Sequence, residues 1–138
     1  MDQRVSFVTL AVADVARSRA FYVDALGWSE DVYVEGEVLM IRVADKVVLS
    51  LWQREGFESE VGPLAPGGGF APITLAHNVG TTDEVDAVFA EAVAAGGTLH
   101  REPEAREWGG YTGYVLDPDG FAWEIAFNPG EIGQVVLP

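Results

Sequence analysis

Glu124 is the residue of this sequence best placed to do chemistry. It lies in the run Phe121-Ala122-Trp123-Glu124-Ile125-Ala126-Phe127. Read as a strand, that run puts Ala122, Glu124 and Ala126 on one face and Trp123 and Ile125 on the other. A carboxylate between two alanines on an otherwise apolar face needs a partner. Two uses stay open. Glu124 can anchor a cation or a hydroxyl, or act as a general base. Alternatively it is structural, held by Ser50, Thr9 or Thr74. Only two histidines, His77 and His100, accompany it, and there is no cysteine. Disulfides and thiolate metal sites are therefore excluded, and a reducing compartment fits.

The elements that must position Glu124 read as one unit used twice. Val8-Thr9-Leu10-Ala11-Val12 is echoed by Ile73-Thr74-Leu75-Ala76-His77, and a helical pattern follows each. The first helix takes Asp14 as its N-cap, buries Val15, Phe21, Tyr22 and Leu26, and stops at Gly27. The second opens on the capping box Thr81-Thr82-Asp83-Glu84, carries the stripe Val85, Val88, Phe89, Ala92, and stops at Gly96-Gly97. Strands are expected over 31–35, 37–43 and 46–52 in the first half. Their counterparts in the second half are 98–101, 111–116 and 121–127. The last two strands of each half meet at Ala44-Asp45-Lys46 and at Asp117-Pro118-Asp119-Gly120, where proline fixes φ and glycine takes the positive-φ corner. The fold class is α+β, with a βαβββ order in each half. Modules 1–61 and 70–138 are joined by the proline- and glycine-rich linker 62–69 and make one domain. Neither half buries enough surface to stand alone. The expectation is a curved eight-stranded cleft with helices outside.

Alternation then names the lining of that cleft. Strand one offers Phe7, Thr9 and Ala11, and strand four offers Val48, Ser50 and Trp52. Strand five offers Pro72, Thr74 and Ala76, and strand eight Ala122, Glu124 and Ala126. Tyr114, with Trp108 and Tyr111 from the preceding loop, covers the mouth. The pocket so described is largely apolar with few polar groups, the usual character of a small-molecule site. The aromatics can equally be core filling. By parity His77 points to the helix side or a strand end, and His100 lies on a short strand whose parity is open.

Several motifs carry a resemblance. Leu10-Ala11-Val12-Ala13-Asp14, the stretch from Ser18 to Phe21-Tyr22, and Leu26-Gly27 form an opening strand, helix and stop. Trp108-Gly109-Gly110-Tyr111-Thr112-Gly113-Tyr114 and Asp117-Pro118-Asp119-Gly120-Phe121-Ala122-Trp123-Glu124-Ile125 form a closing hairpin. Together with the tandem βαβββ order, they resemble the vicinal oxygen chelate superfamily of glyoxalases, bleomycin resistance proteins and dioxygenases. In metal-using members of that superfamily, strands one, four, five and eight each supply a ligand, mostly His or Glu. The resemblance places those positions on Phe7, Ser50, Pro72 and Glu124. Phenylalanine and proline side chains have no donor atom and serine alone is a poor ligand, so no metal and no other cofactor are expected. The glyoxalase and ring-cleaving dioxygenase readings weaken accordingly, since fold alone does not carry function.

Charge narrows the partners. Eight basic residues against 22 acidic ones give −14. A nucleic-acid backbone or an anionic membrane would be repelled, and no run is long enough for a signal peptide or a span. A cation would be drawn in. The expectation is a cytoplasmic, homodimeric, metal-independent protein that binds, and by binding sequesters, a small amphipathic or cationic molecule. The alternatives are a glyoxalase-like lyase, isomerase or dioxygenase using Glu124 as base or lone metal ligand, and a regulatory subunit with a vestigial cleft.

Overall fold

The computed structural model of the chain describes residues 1, 3–65, 71 and 73–138. The chain divides into two compact units, Met1–Gly68 and Gly69–Pro138. Among the described residues, no helix is long and apolar enough to cross a membrane.

In the first unit, β1 (Phe7–Val12), β2 (Val32–Val34), β3 (Val38–Ala44) and β4 (Val47–Gln53) form a sheet in the order β1-β4-β3-β2. β1 runs parallel to β4, and the other pairs are antiparallel. Alternation sorts the faces. Leu10, Val12, Leu39, Ile41, Leu49 and Leu51 are all buried on one side and share the core with Val15, Phe21 and Tyr22 of the helix. That helix, α1 (Val15–Arg19), starts where the Asp14 carboxylate accepts from the amides of Ala16 and Arg17. It runs on as a π-helical segment, Ala20–Ala25, and ends at Gly27, whose φ of +72° is in the glycine-favoured region.

The second unit repeats the plan. β5 (Thr74–Val79), β6 (Thr98–Ala105), β7 (Tyr111–Leu116) and β8 (Ala122–Phe127) form the sheet β5-β8-β7-β6. Helix α3 (Thr82–Ala94) begins on Thr81, whose hydroxyl accepts from the Glu84 amide. The return arm of the expected capping box goes to the Thr81 hydroxyl itself, which donates to Glu84 Oε2 at 3.0 Å. Phe89 and Ala92 of α3 pack with Val115 of β7. Gly113 makes room for this: a Cβ there would stand 2.9 Å from the Phe89 ring. The β7–β8 turn is tied by the buried Asp117, which accepts from the amides of Asp119 and Phe121, both at 2.9 Å.

The eight strands group as two four-stranded sheets, one in each unit, as the tandem βαβββ order implies. Three features differ from the sequence expectation. First, two helices have no counterpart in the sequence reading: α2 (Arg54–Val61) and α4 (Glu131–Val135) each follow the last strand of a unit. Second, β6 runs to Ala105, past the expected end at 101, because two register shifts absorb the disruption around Pro103. Third, the match of the two halves slips. Val12 and Val79 end β1 and β5, and each is separated by a single residue from its helix cap, Asp14 or Thr81. Phe7 pairs with Val48, and Thr74 with Ala122. The counterpart of Phe7 is therefore Thr74, not Pro72. Pro72 itself lies outside the described residues. The similarity of Val-Thr-Leu-Ala to Ile-Thr-Leu-Ala lies two residues out of the structural register.

Candidate ligand-binding site

The second sheet carries a pocket of about 420 Å³ on the face opposite α3. Its centre is a pair of facing residues. Tyr114 and Glu124 are direct cross-strand partners on β7 and β8, and the Tyr114 hydroxyl donates to Glu124 Oε1 at 2.8 Å. Alternation puts them there: Ala122 and Glu124 project to the pocket, while Trp123 and Ile125 take the other face with Val115 and Gly113. Ala76 is the partner of Glu124 on β5 and leaves space beside it. Burial, and then the hydrogen bond to Glu124 and its charge, push the Tyr114 phenol above its ordinary value; Arg106 and Thr112 pull weakly the other way.

Arg106 is held firmly. Its Nε donates to Thr112 Oγ1 at 2.6 Å, one terminal nitrogen donates to the Thr112 carbonyl at 3.1 Å, and the other pairs with Glu104. Arg101, from the bulged part of β6, also lines the pocket, and its side chain makes no hydrogen bond or ion pair among the described residues. His100 lines it too. The loop 106–110 closes through Arg106 N–H to the Gly110 carbonyl and Gly109 N–H to the Arg106 carbonyl. Two glycines make the loop workable. Gly109 adopts φ +91°, and the Trp108 ring lies where a Cβ on Gly110 would be, 1.8 Å from its nearest carbon. Trp108 is thus folded back as a half-exposed indole on the pocket wall.

Of the residues picked from sequence, this pocket gathers Thr74, Trp108, Tyr114, Ala122 and Glu124. Tyr111 is not among them. It shares the helix-facing side of β7 with Gly113, and its hydroxyl donates to Asp86 of α3 at 2.9 Å. Strand parity could have said so, because Tyr111 and Tyr114 are an odd number of residues apart. The same parity would have found Thr112. Arg101, Arg106 and His100 were hidden by the bulges of β6, which break the alternation that a reader counts. His77 pairs with Ile125 on the α3 side and is exposed.

Phe7, Thr9, Val48, Ser50 and Trp52 lie in the first unit on the sheet face away from α1. Phe7 is 54% exposed. Ser50 is buried between Thr9 and Met40, and its Oγ has no hydrogen-bond partner among the described residues. Trp52 lines a second pocket, about 630 Å³, with Val38 and Met40 as floor and Glu37, Glu55 and Glu60 around it. Phe57 of α2 meets the Trp52 ring edge-on at 6.3 Å between centroids.

Metal ligation is poorly served by these donors. Among the described residues, no group of three His, Cys, Asp or Glu side chains is placed to hold a metal ion. Of the positions that the resemblance assigns to ligands, the register puts Phe7 and Ser50 in the first unit and Thr74 and Glu124 in the second. Glu124 already engages Tyr114, and Arg101 and Arg106 line the same pocket. That set does not fit a divalent cation, which needs several anionic or imidazole donors.

The chain belongs to the Glyoxalase/Bleomycin resistance protein/Dioxygenase superfamily, whose model matches residues 4–125. A glyoxalase-related enzyme from Fulvimarina pelagi is 38% identical, with a TM-score of 0.83 over 93% of this chain and 90% of that one. A glyoxalase/bleomycin resistance protein/dioxygenase family enzyme from Burkholderia phytofirmans shares the fold at 23% identity, TM-score 0.75, covering 88% of this chain and 96% of its own. Lactoylglutathione lyase from Agrobacterium tumefaciens does so at 19% identity, TM-score 0.70, covering 93% and 96%. Comparison with curated proteins finds no match.

Proposed function

We propose that this protein binds a small molecule without a metal, and that the pocket of the second unit is the site. The observation that carries the reading is the Tyr114–Glu124 hydrogen bond inside a pocket lined by two arginines. A polar pair of this kind, set among Ala122, Ile73 and Trp108, gives orientation to a ligand whose body is apolar. The charge-based expectation of a cation at Glu124 loses support, because Arg101 and Arg106 share its pocket; the pocket that combines an aromatic ring with several carboxylates is the one lined by Trp52, Glu37, Glu55 and Glu60. The reading extends to a cytoplasmic homodimer. Cysteine is absent, and Ile132, Val135 and Val136 are exposed apolar residues that a second copy would cover. The net charge of −14 argues against nucleic acid.

A second reading is an enzyme, with Glu124 as general base oriented by Tyr114. It draws on the Fulvimarina relative, a glyoxalase-related enzyme. One screen separates the two. Thermal shift over a library of small metabolites is run with and without chelator, and each hit is followed for turnover by mass spectrometry. Stabilisation that survives chelation, is lost in Tyr114→Phe or Glu124→Gln, and comes without turnover supports the binder. Turnover supports the enzyme. One tightly held metal per chain, released in Glu124→Ala, overturns metal independence. Sedimentation as a monomer at micromolar concentration removes the dimer.

A further inference from the structure

The second unit's pocket has a chemistry that narrows its ligand. Arg106 is fixed by Thr112 through two hydrogen bonds and by an ion pair with Glu104, so its guanidinium is pre-organised, and each terminal nitrogen of its planar fork still has one N–H beyond those used. Arg101 lines the same pocket with no partner of its own among the described residues. A guanidinium left unpaired beside a fixed one is matched by a carboxylate or another planar oxyanion, which takes two parallel hydrogen bonds from such a fork. Glu124 is not that partner: its Oε1 accepts from Tyr114, and among the described residues no hydrogen bond or ion pair joins it to either arginine. With its donor partner supplied by Tyr114, the Glu124 carboxylate has lone pairs for one more donor. The Trp108 indole and Ala122 supply flat apolar wall.

From this juxtaposition we infer that the pocket takes a small flat carboxylate that also carries a hydrogen-bond donor: the anionic group lies at Arg101 and Arg106, the apolar body lies against Trp108, and the donor is a hydroxyl meeting Glu124. The inference rests on the second unit's pocket being the binding site and names the class of ligand it selects.

A matched set of fluorescent probes tests it: 6-hydroxy-2-naphthoate, 2-naphthoate, which lacks the donor, and 6-hydroxy-2-naphthamide, which lacks the charge. The full-length protein is titrated with each. The expected order is hydroxynaphthoate tightest and the amide weakest, by roughly tenfold, a difference set by one charge-assisted interaction. Arg101→Met should weaken both carboxylates about tenfold and leave the amide unchanged, while Arg101→Lys recovers part of the loss. Glu124→Gln should cost the hydroxynaphthoate more than the naphthoate. Arg101 is exposed on β6, so these variants are expected to fold, and circular dichroism checks it. Equal affinity for amide and carboxylate, equal losses for both in Arg101→Met, or no binding of hydroxynaphthoate at ~1 mM overturns the inference. Carboxylate binding that is sensitive to Trp108→Phe but not to Arg101→Met leaves the pocket as a small-molecule site and removes only the carboxylate assignment.

Discussion

Tyr114 and Glu124 face each other across adjacent antiparallel strands, and the phenol donates to the carboxylate at 2.8 Å. Both side chains are half-buried, so the bond is partly shielded from water. Tyr114→Phe and Glu124→Gln should each cost about 1 kcal/mol, and the double variant less than their sum, because the second change removes a bond already gone. Urea denaturation of the four proteins measures the coupling. Strict additivity would mean that the pair holds no interaction worth the name.

The same pair sets a dependence on alkaline pH. The Tyr114 phenol is raised above its ordinary value of 10.0, chiefly by burial and then by Glu124. The folded chain therefore keeps this proton at a pH where the unfolded chain has lost it. The stability it contributes is complete below the unfolded value and is lost as pH rises through the raised folded value. Tyr111 is shifted the same way by its bond to Asp86. Ultraviolet titration of native protein should show a late-ionising phenol that disappears in Tyr114→Phe and a separate one that disappears in Tyr111→Phe. Ionisation of both at the ordinary value would contradict the assignment.

Ser50 Oγ is buried without a partner among the described residues, an arrangement that costs stability. Ser50→Ala should therefore leave the melting temperature unchanged or raise it, by up to ~1 kcal/mol in stability. A clear loss on calorimetry would show that the hydroxyl does have a partner in solution.

Gly113→Ala tests the seat of α3. The added Cβ would stand 2.8 Å from Pro103 Cγ and 2.9 Å from both the Phe89 ring and the Pro103 backbone nitrogen. Neither proline nor backbone can give way cheaply, so a loss of about 1–3 kcal/mol is expected. A wild-type midpoint in denaturant would mean that strand and helix separate more easily than this packing implies.

Much of the fold was legible because its signals are local and repeated. The Asp14 and Thr81 caps, the Gly27 stop and the Asp117–Gly120 turn are each fixed by a few neighbouring residues, and β7 falls where alternation put it. The site was half legible for the same reason. Glu124 and Tyr114 sit on regular strands, and their face can be counted. Arg101 and Arg106 cannot be counted to, since the bulges of β6 reset the alternation between His100 and Glu104. The slip of β5 by two residues was harmless to facing, because an even slip returns each side chain to the same side of the sheet. It was harmful to position, moving the counterpart of Phe7 from Pro72 to Thr74. α2 and α4 escaped because they are short and carry no buried apolar stripe; α2 buries no residue at all.

Two arginines line one pocket of a chain whose net charge is −14. An anion travelling toward Arg101 and Arg106 meets the field of the remaining carboxylates before it meets the guanidiniums. Distance separates the two influences: the Debye length shrinks from ~30 Å at 0.01 M salt to about 8 Å at 0.15 M. Added salt thus strips away the far repulsion first, while the contact at the guanidiniums, made within a few ångströms and partly shielded, persists. Association of a carboxylate with this protein should accordingly speed up as ionic strength rises through that range, the reverse of ordinary electrostatic steering. The acidic exterior makes the pocket a slow gate in dilute buffer and a fast one in salt.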